Sequence, residues 1–333
     1  MAMSKRKRYG YQLSLFPGIF IILGFFSLSL VNSSVAGQAG KTIKYPTTPI
    51  KLIVPAAAGG SLGSETRVVA PFLEKNLGVS IVVEYVAGAD GMIAYNKFPQ
   101  EKANGYSLLS TNTLTSIFLE LTRENAKYSV KNYTAIGGWN VKYQVLVAHP
   151  DTWKNFAAFL SEGKKRNISV AGAGGSTILN SHILEEALGI KFIIVPFKSS
   201  SEGLAAVAGK HVDCMLTFES TPKPMIQAGR LRALAVLSSK PDPILPGVPN
   251  LTELGHGEVP TLPSAGILAA PPNTPREIVA VLEKALGKAV SAPEFVKVAD
   301  TVGIYLDYVP AVEINKTIAE QYRILNKYKA FIR

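Results

Sequence analysis

One arrangement occurs twice in this chain and limits what it can become. Lys51-Leu52-Ile53-Val54 leads through Pro55 into the small-residue stretch 56–62, Ala-Ala-Ala-Gly-Gly-Ser-Leu. Ile168-Ser169-Val170 leads into a matching stretch at 171–177, Ala-Gly-Ala-Gly-Gly-Ser-Thr. Each stretch precedes an amphipathic helical pattern, and each helix ends at a Leu-Gly pair (Leu77-Gly78 and Leu188-Gly189) that opens a β-branched strand. Strand, small-residue loop, helix and strand are thus written twice. A helix start carries unpaired backbone N–H groups and a partial positive charge, so such a loop suits an anion. Two of them far apart in sequence predict two lobes that grip one anionic ligand from opposite sides.

The rest of the chain alternates in the same way. The pattern predicts strands at 50–54, 80–85, 106–110, 143–148, 168–171, 192–196, 212–216, 232–237 and 265–269. It predicts helices near 64–77, 115–123, 153–163, 177–188, 200–208, 274–290 and 311–328. This is the signature of an α/β protein with mostly parallel sheets. Pro71 inside the first helix predicts a kink or a late start. The Pro-rich stretch 241–249 reads as an extended return loop. Because two helical patterns follow a second full α/β set, the chain is expected to cross between lobes twice. Lobe one would take 40–146 plus 265–333, and lobe two 147–264.

Residues 1–39 are expected to lie outside the fold. Lys5-Arg6-Lys7-Arg8, an apolar run from Leu13 to Val31 and the small residues around Ala36 and Ala39 read as a secretory signal peptide, or as a membrane anchor if uncleaved. No Cys stands near Ala36, so a lipid anchor is not expected. The formal charge is +11, and four of those charges sit in Lys5–Arg8, leaving +7 with no dense basic run except Lys164-Lys165-Arg166. That balance argues against nucleic acid as a partner and tolerates small anions. Cys214 is the only cysteine. It excludes an internal disulfide and, in an apolar strand pattern, reads as an inert buried thiol. His149, His182, His211 and His256 show no metal-ligand spacing, so neither metal nor cofactor is expected.

Gly59-Gly60-Ser61-Leu62-Gly63 matches G-x-S-x-G, which would make Ser61 a hydrolase nucleophile. The four residues Pro55 to Ala58 separate it from its strand, and only His211 and His256 follow at a distance, so Ser61 reads better as a helix-start hydroxyl. Gly172-Ala173-Gly174-Gly175 falls short of a dinucleotide fingerprint: Thr177 stands at the third glycine, and no acidic residue closes the next strand. Glu219, after the strand at 212–216, is a candidate to face the cleft. Trp139 and Tyr143 flank a lobe crossing and read first as core.

Several runs resemble the extracytoplasmic solute receptors of tripartite tricarboxylate transporters, the Bug family. These are Ile50–Pro55 with Gly59-Gly60-Ser61 and Arg67; Val83-Glu84 with Gly88 and Gly91; Gly105-Tyr106-Ser107-Leu108-Leu109; and Val195-Pro196-Phe197-Lys198. Further along come Gly209, Val212-Asp213 and Met215; Gly229-Arg230-Leu231-Arg232-Ala233-Leu234-Ala235-Val236; Pro246, Val248-Pro249 and Glu253-Leu254-Gly255; and Pro271-Pro272-Asn273-Thr274-Pro275. Their order and spacing cover essentially all of the chain after the signal. The resemblance implies a two-lobe, type II periplasmic-binding-protein fold with a ligand cleft between the lobes. It implies a periplasmic location, no enzymatic activity, hinge closure on a small organic carboxylate, and delivery to the membrane subunits of a tripartite transporter; a receptor feeding a sensor kinase is the alternative. It implies a ligand-binding set of Ala57, Ala58, Gly59, Gly60 and Ser61 opposite Ala173, Gly174, Gly175, Ser176 and Thr177, with Phe197 and Glu219 added here. The chain departs from the family at Ala56, where an aromatic is usual, and at Gly63, Asp90 and Leu179. Ala56 predicts a wider first pocket.

Overall fold

The computed structural model describes residues 44–328 except 57, 59, 60, 174, 302 and 303. The signal segment therefore lies outside the described residues, as do Ala57, Gly59, Gly60 and Gly174 of the expected binding set. Along the chain the elements are β1 (Ile50–Val54), α1 (Ser61–Leu77), β2 (Ile81–Tyr85), α2 (Met92–Lys97), β3 (Ser107–Asn112), α3 (Thr113–Thr122), β4 (Thr134–Lys142) and β5 (Gln144–Ala148). Next come α4 (Phe156–Gly163), β6 (Ile168–Gly172), α5 (Gly175–Leu188), β7 (Phe192–Pro196), α6 (Ser200–Ala208), β8 (Cys214–Phe218), α7 (Lys223–Gln227) and β9 (Arg232–Val236). The last are β10 (Ser264–Ala270), α8 (Arg276–Val290), α9 (Pro293–Thr301), β11 (Val309–Pro310) and α10 (Ala311–Tyr328).

The strands form two sheets, ordered β11-β4-β10-β3-β1-β2 and β7-β6-β8-β5-β9. The chain leaves the first sheet at Lys142, enters the second at Gln144, and returns with β10. Within the first sheet β1 pairs in parallel with β2 and β3, and within the second β6 pairs in parallel with β7 and β8. The expectation of mostly parallel sheets needs correcting: β10 runs antiparallel to β3 and β4, and β5 runs antiparallel to β8 and β9. The reason is topological. β5 and β10 are the strands on which the chain arrives from the other sheet, so no helical crossover dictates their direction.

Side-chain alternation sorts the core. In β1, Leu52 and Val54 face a cluster with Leu73 of α1 and Leu282 and Leu286 of α8, while Ile53 faces the opposite cluster. Helix α8 buries Val279, Leu282, Ala285, Leu286 and Ala289, the three-and-four spacing of one helix face. The cluster on the Ile53 side does not stop at one sheet. It joins Leu114 and Ile117 of α3 and Ile318, Tyr322 and Leu325 of α10 to Leu179, Ile183 and Leu184 of α5 and Leu216 of β8. Cys214 is buried there, with its thiol pushed up by desolvation. Pro71 neither ends nor delays α1, which runs on from Ser61 with Pro71 on its exposed face.

Candidate functional site

Both small-residue loops occupy the carboxyl end of a parallel strand, where open α/β sheets bind ligands. Helix α1 begins at Ser61 and α5 at Gly175, each directly after its loop. Ala58 is a half-buried turn residue.

The second set collects around one sheet end. The Phe197 N–H donates to the Gly172 carbonyl (2.9 Å), which holds Phe197 beside the end of β6, half-buried against the Val145–Met215 cluster. Thr177 is buried, and its hydroxyl lies 3.1 Å from the Leu216 carbonyl and 3.4 Å from that of Ala173. That contact pins the first turn of α5 to β8. It also means that the Thr177 proton points into the fold, so Thr177 positions the helix. Ser176 is half-exposed in the same turn, and Ala173 packs against the apolar cluster.

Glu219, one residue past β8, is fully buried, and neither carboxyl oxygen has a hydrogen-bond partner among the described residues. Its backbone N–H donates to the Tyr143 carbonyl (3.1 Å). Burial pushes its carboxyl up to about 8; the nearby Asp242 adds to the rise, and Lys142 opposes it. At neutral pH Glu219 is therefore a protonated acid able to donate a hydrogen bond. Asp242 is itself pinned, its Oδ1 accepting from the backbone N–H groups of Ile244 and Leu245 (2.9 Å each).

The crossing residues link the two sheet ends. Lys142 Nζ pairs with Glu65 Oε1 of α1 at 2.6 Å, and both side chains are largely buried. Trp139 Nε1 and Asn140 Nδ2 each lie 3.4 Å from Glu65 Oε2. Trp139 is thus core, as its sequence setting predicts, and it has a second role at Glu65. Through Lys142 to α1 and through Tyr143 to Glu219, two consecutive residues join the first helix's early turns to the end of β8.

Sequence reasoning missed a third wall. Pro55, Ala56 and Leu62 line a cavity of about 370 Å³ together with Ala87, Gly88, Asp90 and Gly91 after β2, Tyr95 of α2, and Asn112 and Thr115 at the β3–α3 junction. Gly91 fixes this wall. Its φ is +93°, and a Cβ there would lie 2.5 Å from the Pro55 carbonyl oxygen. The Gly88 and Gly91 spacing is the signal that could have found it.

His211 lies before β8, at the amino end of the strand, and His256 packs its ring on Phe156 (5.6 Å). Among the described residues no group of His, Cys, Asp and Glu could hold a metal ion, and no helix is long and apolar enough to cross a membrane.

Comparison with known proteins agrees with this architecture. BugT of Bordetella pertussis is 29% identical over 83% of this chain and 86% of its own length. A TctC solute-binding protein from Polaromonas superposes with a TM-score of 0.78 at 25% identity, covering 85% of this chain and 99% of that one. MatC from Rhodopseudomonas palustris, solved with bound malate, shares the fold with a TM-score of 0.64 at 22% identity, over 87% of this chain and 100% of its own. The fold is that of periplasmic solute-binding proteins. The description "Tripartite tricarboxylate transporter family receptor" matches residues 66–333, and the chain belongs to that family.

Proposed function

We propose that this receptor captures a small organic carboxylate between the loop at 57–61 and the loop at 173–177 and delivers it to the membrane subunits of a tripartite transporter. The observation that carries the reading is the double link at the crossing: Lys142 to Glu65 of α1, and Tyr143 to Glu219 after β8. Those contacts tie the ends of two sheets that each carry a helix-start loop. The malate held by MatC supports the ligand class by analogy of fold.

In this reading lobe one is built on the first sheet and lobe two on the second, with crossings at Tyr143 and through 237–263. The backbone N–H groups of both loops and the Ser176 hydroxyl hold the carboxylate, Phe197 packs against its body, and Glu219, fully buried at the end of β8, supports the second loop's sheet end from beneath and does not touch the ligand. Charge-assisted hydrogen bonds contribute about 1.5–3 kcal/mol each, so neutral donors suffice without an arginine clamp. The two loops act together only when the lobes are closed, so ligand favours a hinge-closed state that the membrane subunits read. Residues 1–39 direct export to the periplasm, and the protein binds without catalysis. Titration calorimetry of the purified protein against mono-, di- and tricarboxylates tests this. Saturable heat with at least one is expected; a folded protein silent to all of them ends the reading.

A further inference from the structure

Asn104-Gly105 is the only Asn-Gly pair in the chain. It lies in the turn that leads into β3, with Asn104 exposed to solvent. The Tyr106 N–H donates to Asn104 Oδ1 (3.2 Å), so the side-chain amide is folded back over the main chain. That N–H also stands where negative charge would gather on Oδ1 if Cγ were attacked. The Gly105 N–H, one residue earlier, donates no hydrogen bond among the described residues. Gly105 takes a φ of +79°, and a Cβ there would lie 2.4 Å from Tyr45 Oη and 2.5 Å from Ile278 Cγ2. Glycine is therefore fixed at 105, and with no side chain it does not hinder the approach of its own nitrogen to Cγ. Asp90-Gly91 is the nearest comparison. There the Gly91 N–H is committed to the Gly88 carbonyl (2.9 Å) and the Asp90 carboxylate to Arg123 (3.1 Å).

We infer that Asn104 is a site of spontaneous self-modification through a succinimide, with water as the co-reactant and aspartate or isoaspartate as the product. The Gly105 nitrogen gives its proton to water and attacks Asn104 Cγ. The N–Cγ bond forms, the Cγ–Nδ2 bond breaks, and Nδ2 takes a proton and leaves as ammonia. Water then opens the ring. Opening at Cγ gives aspartate on an unchanged backbone. Opening at the Asn104 main-chain carbonyl gives isoaspartate, in which the chain runs through Cβ and Cγ. Isoaspartate thus inserts a methylene before Gly105, whose carbonyl accepts from the Tyr45 hydroxyl (2.6 Å), and before Tyr106, whose hydroxyl accepts from the Thr47 N–H (3.1 Å). Those contacts clamp residues 45–47 to the start of β3, so the conversion loosens that segment. The turn stands at the amino end of β3, away from the strand ends that carry the small-residue loops.

The test ages the folded protein at neutral and mildly alkaline pH beside a guanidinium-unfolded sample. Peptide mapping by mass locates new acid, and isoaspartyl methyltransferase labelling locates the isomer. The peptide carrying Asn104 should convert in the folded protein ahead of every other asparagine peptide, and faster at the higher pH because attack needs the deprotonated nitrogen. Asn104→Gln should abolish the conversion, since its longer side chain must close a larger ring. The isoaspartate form should melt about 2–4 °C below Asn104→Asp, which carries the same charge on an unaltered backbone. An Asn104 still intact in the folded protein once the unfolded chain has converted, or equal conversion at other asparagines, would overturn the site. Equal melting of the isoaspartate form and Asn104→Asp would overturn the loosening.

Discussion

Lys142, the last residue of the strand that leaves the first sheet, holds Glu65 of the first helix in an ion pair of 2.6 Å. Glu65 is almost fully buried, and Trp139 and Asn140 approach its other oxygen. Removing Lys142 leaves a buried carboxylate short of its cation, which costs far more than an exposed pair would. Lys142→Met should destabilise the protein by about 3 kcal/mol in chemical denaturation, and Glu65→Gln in the same chain should recover much of that loss.

Glu219 makes stability fall with pH. Its carboxyl titrates near 8 in the fold against 4.5 for an ordinary glutamate. Between those values the unfolded chain has released the proton and the folded one keeps it, so the folded state loses ground as pH rises, by at most about 1.4 kcal/mol per unit. The contribution is fully present below 4.5 and gone above 8. Glu219→Gln should flatten the decline across that window. Thermal melts from pH 4.5 to 8.5 decide it; identical slopes in the two proteins would refute the assignment.

Ser176 and Thr177 are neighbours with different duties. Ser176→Ala should weaken carboxylate binding about three- to tenfold and leave the melting temperature unchanged, as for one lost hydrogen bond at a half-exposed site. Thr177→Val should instead lower stability by about 1 kcal/mol, because its hydroxyl anchors α5 to the Leu216 carbonyl. Paired calorimetry and denaturation separate the two.

Gly91 holds the third wall against Pro55. Gly91→Ala forces a left-handed conformation on alanine and a 2.5 Å approach to the Pro55 carbonyl. A loss of about 1–3 kcal/mol is expected, with weaker ligand binding because the strain is passed to the start of the first loop.

Much of this architecture is legible without coordinates. β1, α1 and β6 each combine a clean period with a small-residue breaker, whereas α5 is not the amphipathic helix expected, burying Asn180 and Ser181 beside Leu179, and is marked mainly by its breakers; both helices start two or three residues earlier than the sequence predicts because the loop residues themselves enter the first turn. β4 was illegible. Gly137 and Gly138 interrupt it, and they are there for a reason that only the fold reveals: the neighbouring strands approach so closely that a Cβ on Gly137 would lie 3.1 Å from the Val309 carbonyl oxygen of β11 and one on Gly138 2.9 Å from the Gly266 carbonyl oxygen of β10. Helices α2 and α7 are short, and a single turn or two gives periodicity too little to work on. In the candidate site, the loops followed from composition. The burial of Glu219 and the orphan oxygen of Asn112 did not, because both depend on which segments cover a strand end.

The apolar cluster that runs from α3 and α10 across to α5 makes the two halves of this receptor inseparable as pieces. A fragment spanning 147–264 would turn Leu179, Ile183 and Leu184 toward water, and the remaining chain would bare Ile318, Tyr322 and Leu325.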